Sequence, residues 1–396
     1  MKRFLFIILI VIAAISSANA QTVVASGNCG TQGDNLTWVL SSDSVLTISG
    51  KGNIENTKTF RSDNSQPFFA YKDYVKTLII KDSIVNIKDY AFEGFGSLKF
   101  VIIGNSVETI GCSVFHKCNN LISVKIGSNI KTICDNVFTS FYFTNLISID
   151  VDNKNNIYSS ENGILFNKTR TILIKFPLGK NKTDTVYNIP RSVKTIRRGA
   201  FWNCYNLKTI IIPNSVKTIE DDAFWNCISL KSIKIPNSIK TIKYSAFRNS
   251  GLTSVIIPNR VKILESTFLD CKDLTSVTIP KSVKFIKQRT FSGCIGLTSI
   301  IIPYNVKIIH YYAFLGCDNL MSITLGKKLE KIEIAAFAEC IRLNSITCYA
   351  SKPPILSNGT FSRVNANTCT VYVPTESVAL YQKAEVWKNF KIEVIK

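Results

Sequence analysis

The sequence predicts a β-rich solenoid of about a dozen stacked rungs, capped at both ends. Three observations carry this. Phenylalanine recurs at a fixed interval, each interval holds a short strand with alternating apolar and polar residues, and the two ends depart from the repeat. The recurring residues are Phe69, Phe92, Phe115, Phe138, Phe201, Phe224, Phe247, Phe268, Phe291, Phe314, Phe337 and Phe361. Successive spacings are 23, 23, 23, 63, 23, 23, 21, 23, 23, 23 and 24. The general rung reads A-F-x-x-C-x-x-L-x-S-I-x-I-P-x-S-V-K-x-I-x-x-x.

Each column has a physical reading. Leu207, Ile210 and Ile212 alternate with polar residues, as in a strand with one buried face. Gly104, Gly127, Pro190, Pro213, Pro236, Pro258, Pro280, Pro303 and Gly326 share the column that ends this strand. Val216 and Ile219 begin a second apolar pair, and Ala223-Phe224 turns inward on the far side. A rung buries such side chains only when its neighbours cover both of its faces.

The ends and one interruption complete the plan. Lys2-Arg3, an apolar run from Phe4 to Ile15, and Ala18-Asn19-Ala20 read as an export signal over 1–20. The run is too short to span a bilayer, and no later one suffices, so no integral membrane segment is expected after cleavage. Residues 21–66 form an N-terminal β cap, with a hairpin of Trp38–Leu40 and Val45–Ile48. The solenoid spans 67–361, and 362–396 form a C-terminal cap with a helix of about 375–388 begun by Thr375 and a last strand Ile392–Ile395. The insert of about 155–185 reads as a hairpin of Ile164–Phe166 and Ile172–Phe176 that protrudes from the stack.

Seven of the twelve cysteines stand three residues after a rung phenylalanine: Cys118, Cys204, Cys227, Cys271, Cys294, Cys317 and Cys340. Phe95, Phe141 and Ser250 occupy the same column. The column therefore reads as one of small buried thiols. Cys29, Cys112, Cys134, Cys348 and Cys369 are scattered. No C-x-x-C occurs, so no metal site and no cofactor is expected.

The columns closely resemble the BspA-like leucine-rich-repeat family of bacterial surface proteins. The opening Cys29-Gly30-x-x-Gly33-x-Asn35-Leu36-Thr37-Trp38, the insert Asn162–Phe166 and the ending Pro353-Pro354…Val371-Tyr372-Val373-Pro374…Tyr381…Trp387 also fit. The resemblance implies exported or cell-surface proteins, some of them adhesins, and it defines no universal binding residues. The expected location is secreted or cell surface, with the periplasm as an alternative. No LPxTG-type anchor is read.

Catalysis is not expected. The two histidines, His116 and His310, lie about eight rungs apart and cannot share a site, and His310 reads as a surface or edge residue; no nucleophile, phosphate-loop or dinucleotide pattern occurs. Three surfaces are candidates for binding. Lys194, Lys217, Lys240, Lys262, Lys284 and Lys307 repeat on consecutive rungs, with Lys131 before them and Glu108 and Glu330 flanking. At ~4.7–4.9 Å per rung they form a basic line roughly 24 Å long. Such a line suits an extended polyanion, although it also reads as a solvated consensus position. The outward strand columns give the second surface: a Ser/Thr ladder from Thr209 to Ser345 beside Ile211, Lys234, Ile256, Thr278, Ile301, Thr324 and Thr347. Exposed isoleucine on a flat face marks docking surfaces, against a plain reading as strand propensity. Trp202 and Trp225, followed in their column by Arg248, are the third.

The chain carries a formal charge of +21, or +19 without Lys2 and Arg3. That favours acidic partners, although AT-rich codons also enrich lysine. No aromatic residues interleave the lysines, so nucleic acid is not an expected partner. The leading reading is an exported recognition or adhesion protein that binds a host-matrix or cell-surface protein. The alternatives are an acidic-polysaccharide binder using the lysine line and a structural envelope component.

Overall fold

The computed structural model describes residues 22–30, 33–55, 66–138, 143–182 and 185–395. The export signal read over 1–20 and the column position of Phe141 lie outside these residues. The chain is a β-solenoid of about 14 turns. Successive rungs pair in parallel with registers of one repeat: Leu78 with Val101, Val101 with Val124, Ile323 with Ile346 and Ile346 with Val371.

The inward turn owes its shape to two residues per rung with positive φ, one on each side of the phenylalanine. Asn203, Asn226, Asn249 and Asp270 hold φ of 62°, 63°, 49° and 60°, and Gly94, Gly293 and Gly316 fill the same column. Gly, Asn and Asp tolerate this conformation best. Asn226 donates to Asn203 Oδ1 at 2.8 Å and Asn249 to Asn226 Oδ1 at 2.6 Å, extending the ladder through side chains.

Between these turns the phenylalanines stack. Phe201, Phe224, Phe247, Phe268, Phe291, Phe314, Phe337 and Phe361 have successive ring centroids 4.9–5.7 Å apart, and no pair is tilted by more than 17°. Two positions differ from the sequence alignment. Phe68, not Phe69, stacks on Phe92, because Pro67 opens a tight turn that carries Phe68 inward. Phe176 of the insert fills the slot before Phe201, at 5.5 Å.

The thiol column is buried and also bonded, which a reading by bulk alone does not capture. Cys227, Cys271, Cys294, Cys317 and Cys340 donate to the carbonyl of the phenylalanine one rung earlier at 3.0–3.3 Å. Burial pushes the Cys227, Cys294 and Cys317 thiols well above the ordinary range, so the thiolate is suppressed. Phe143, three residues before Leu146 and buried, holds this column in the rung of Phe138.

Cys112 and Cys134 form a disulfide between adjacent rungs. They are one repeat apart, which single positions scattered in the sequence did not reveal. The bridge closes a loop of 22 residues, for which the chain-entropy model gives about 3 kcal/mol. Cys112→Ser is therefore expected to lower the stability of the N-terminal half by about 2–4 kcal/mol in a denaturant titration. Reductant should destabilise the parent chain and leave the variant unchanged.

The insert does not protrude. Tyr158–Glu161, Ile164–Asn167 and Ile172–Lys175 form an antiparallel meander whose last strand pairs in parallel with Thr195–Ile196. It lies within the stack because its middle strand is apolar on both faces. Leu165 belongs to the core of the N-terminal rungs, while Ile164 and Phe166 belong to the core that runs to the C-terminus. Buried Asn155 closes the first half. Its Nδ2 donates to the carbonyls of Gly127 and Ile130 at 3.1 Å, and its Oδ1 accepts from Ile157 and Tyr158 N–H at 2.8 Å.

At the N-terminal end Val23–Gly30, Gly33–Ser41 and Val45–Gly50 form an antiparallel sheet, one strand more than the hairpin read from sequence. At the other end the helix is shorter than expected, Val378–Lys383, and Ser377 rather than Thr375 precedes it. Ala384 turns extended and Val386 takes φ 67°, which carries Trp387 inward to donate to the Pro354 carbonyl at 2.9 Å. Trp387 and Phe390 then cover the exposed side of Phe361, and Lys391–Val394 is the last strand.

Candidate binding surfaces

The strand face carries the exposed isoleucines. Ile211, Ile256 and Ile301 are 55%, 72% and 69% exposed, while Ile210, Val255 and Ile300 beside them are buried. Strand alternation alone places them so. Ser299, Ser322, Ser345 and Thr370 stand in paired register, as do Ser254 and Ser276. The face is not one flat ladder, however. Lys234 meets Ile211 in a single bridge, and among the described residues no pairing joins it to the strand Ser254–Ile256. A second break separates Ser276–Thr278 from Ser299–Ile301. Each break opens a cleft, of about 1160 Å³ and about 580 Å³ respectively. Tyr304 and Tyr349, 43% and 49% exposed, line the second beside Ile301. Sequence reading missed both tyrosines, because Tyr304 follows the column that ends the strand and Tyr349 stands in it, where proline, glycine and turn polarity are the usual content.

All six lysines of the basic line are exposed. Main-chain bonds fix their register: Lys217 N–H donates to Lys194 O at 2.8 Å, Lys240 to Lys217 O at 2.9 Å and Lys307 to Lys284 O at 2.8 Å. The line is not continuous, since Thr241–Ile242 does not pair with Ile263–Leu264. Two carboxylates end it: Lys131 pairs with Glu108 at 2.7 Å, and Lys307 with Glu330 at 2.9 Å. Among the described residues, Lys194, Lys217, Lys240, Lys262 and Lys284 have no carboxylate partner.

The tryptophans stack on one another. Trp202 and Trp225 lie 5.4 Å apart, Arg248 covers the other side of the pair 4.8 Å from the Trp225 ring, and Asp270 faces Arg248 at 3.6 Å. Trp225 thus spends its ring on neighbours. Trp202 borders a hollow of about 390 Å³ with Arg198, Asp135 and Asp222.

The histidines serve cross-rung pairs. His116 meets Glu93 at 3.2 Å and His310 meets Glu333 at 3.0 Å. Burial raises each carboxyl, but hydrogen bonds from Lys117 and His116, and from Lys331 and His310, outweigh it and hold both acids below the usual carboxylate range. The two histidines lie at separate places in the stack, each beside a carboxylate that a lysine also meets. Among the described residues no group of histidine, cysteine and carboxylate side chains is arranged to hold a metal ion, and no helix is long and apolar enough to cross a membrane.

Parallel rungs, an inward phenylalanine stack and an exposed strand face define a leucine-rich-repeat solenoid, a scaffold for binding. The chain belongs to the BspA-type leucine-rich repeat family, whose model matches in six copies over residues 64–184, 179–273 and 261–383. Among solved structures, a leucine-rich repeat protein from Eubacterium ventriosum is similar at 23% identity and TM-score 0.55, over 86% of this chain and 95% of that one. A leucine rich cell surface protein from Faecalibacterium prausnitzii shares 20% identity over 84% of this chain and 96% of its own, with TM-score 0.33. A leucine-rich repeat protein from Bacteroides ovatus shares 20% over 92% and 99%, with TM-score 0.38. No curated protein matches the chain.

Proposed function

We propose that this protein is exported and recognises a protein partner, a host-matrix or cell-surface protein, through its strand face. The observation that carries the reading is the exposure of Ile211, Ile256 and Ile301 on a strand face whose neighbouring column carries hydroxyls. Exposed β-branched side chains fixed on a rigid frame lose little entropy on binding, and apolar anchors between polar neighbours are how such interfaces gain affinity. The disulfide supports export, because such bridges persist in oxidising compartments. The residues 1–20 support it as well, by their signal-like sequence.

The unpaired stretch from Lys194 to Lys284 supports a second reading, an acidic polysaccharide laid along the lysine line. One set of variants separates the two. If the strand face docks a protein, Ile211→Asp with Ile256→Asp weakens binding by about 30-fold or more. Charge reversal of Lys194, Lys240 and Lys262, which lie outside the strand-face clefts, then changes it little at moderate salt. The opposite pattern, with a steep dependence on salt, assigns the ligand to the lysine line.

A further inference from the structure

The rung from Phe247 to Phe268 is two residues shorter than its neighbours. One deletion falls at Ser250-Gly251-Leu252, where the preceding rung has Cys227-Ile228-Ser229-Leu230. The other falls between Leu264 and Phe268, four residues apart, where Ile219 and Phe224 are five apart. The two deletions bracket the front arc of the rung. At one end the rungs stay joined by Gly251 N–H to Cys227 O at 3.1 Å and Thr253 N–H to Lys231 O at 3.0 Å; at the other, by Ser245 N–H to Glu265 O at 3.3 Å. Between these points no strand pairing crosses among the described residues.

The segment 232–235, which holds one bridge residue, and the edge of the strand Ser254–Ile256 therefore face one another across the cleft of about 1160 Å³. Ser232–Ile235 is bridged only on the side of Ile211, and Ser254–Ile256 pairs only with Ser276–Thr278. Lys217, Lys234 and Arg260 line the cleft with the amides of Asn237 and Asn259, and none of its lining residues is acidic. Arg260, absent from the lysine column, is a site residue that the shortened rung could have flagged.

We propose that this cleft takes an extended, Asp- and Glu-rich segment of the protein partner, which pairs its main chain with the open strand edges. The proposal rests on the strand face being the protein-binding surface and names what enters it. Unpaired edges present main-chain N–H and C=O groups at strand spacing, the pattern that an added strand satisfies. Three cations without a carboxylate set the sign of the segment's charge. Ile256 at the lip offers apolar contact to alternate side chains. An acidic glycan meets the charge but leaves the strand edges unpaired, so the observations favour the peptide.

The test uses the intact protein and three probes with three carboxylates each: a capped (Glu-Thr)3 hexapeptide, the same peptide with alternate main-chain N-methylation, and a trigalacturonate. The peptide is expected to bind, and N-methylation to weaken it by about tenfold or more by removing ladder donors. Lys234→Gln with Arg260→Gln, both exposed, should weaken it similarly with an unchanged circular dichroism spectrum. Ile301→Asp, outside this cleft, should leave peptide affinity within about twofold. Equal binding of the N-methylated peptide, tighter binding of the galacturonate, or no binding of the peptide overturns the proposal. Should the peptide fail while Ile301→Asp still abolishes capture of a whole protein partner, the strand face stands and the cleft does not.

Discussion

Phe247→Ala is expected to lower stability by about 3–5 kcal/mol, the largest single effect on this chain. The ring is fully buried and sandwiched, with Phe224 at 5.1 Å and Phe268 at 5.6 Å, each nearly parallel to it. Removing it leaves a cavity whose walls are two stacked rings fixed by their own rungs, so little collapse can fill it. The position matters as much as the chemistry. The front arc between this rung and the one before lacks strand pairing, so here the stack contributes an unusual share of the contact between neighbours. In a solenoid, stability is close to a sum of rung and interface terms. The variant should therefore melt in two steps, the rungs on either side of Phe247 separating, where the parent chain melts more cooperatively. Denaturant titration followed by circular dichroism measures both. A single transition with a loss under about 1 kcal/mol would show that the ring stack contributes little.

Lys175→Met is expected to stabilise the protein, and to do so only where the lysine is charged. Lys175 is 3% exposed and its Nζ donates to the Gly199 carbonyl at 2.9 Å. Burial pulls its pKa from 10.5 down to about 8, with the thiols of Cys204 and Cys227 acting weakly in the opposite sense. Between these two values the unfolded chain binds the proton and the folded chain does not, so stability rises with pH across this window. Below about pH 8 both states are protonated and the folded state bears the full penalty, about 3 kcal/mol. Above 10.5 the lysine is neutral in both states and the penalty is gone. Methionine removes the charge and also the hydrogen bond to Gly199, so the net gain near neutral pH is about 1–2 kcal/mol. The difference between variant and parent should shrink steadily from pH 8 to above pH 10. A difference that stays constant over that range would place the effect in packing rather than charge.

Much of the fold is legible in the sequence because repetition turns weak signals into strong ones. A single A-F-x-x-C is uninformative; at fixed intervals it identifies the inward turn, and the Pro/Gly column marks where each strand stops. What failed was local. Spacing alone aligns Phe69 in place of Phe68, because it cannot register a turn opened by Pro67. The insert reads as protruding because its strands look like an ordinary hairpin, and only the apolar character of both faces of Ile164–Phe166 places it inside the stack. The disulfide escaped because Cys112 and Cys134 lie outside the thiol column. Among the surfaces, the alternation that exposes Ile211, Ile256 and Ile301 was readable directly. The breaks in the strand face were not, since two deletions in one rung reveal a change of length but not the splaying of the arc between them.

Recognition of a protein through the strand face is the central proposal for this solenoid. The most direct measurement is a binding screen of residues 21–396 against matrix proteins and acidic glycans at low and high salt. Saturable binding to a protein ligand is expected, with an affinity that changes by less than about tenfold between the two salt concentrations. Binding confined to acidic glycans and lost at high salt would contradict it and assign the function to the lysine line.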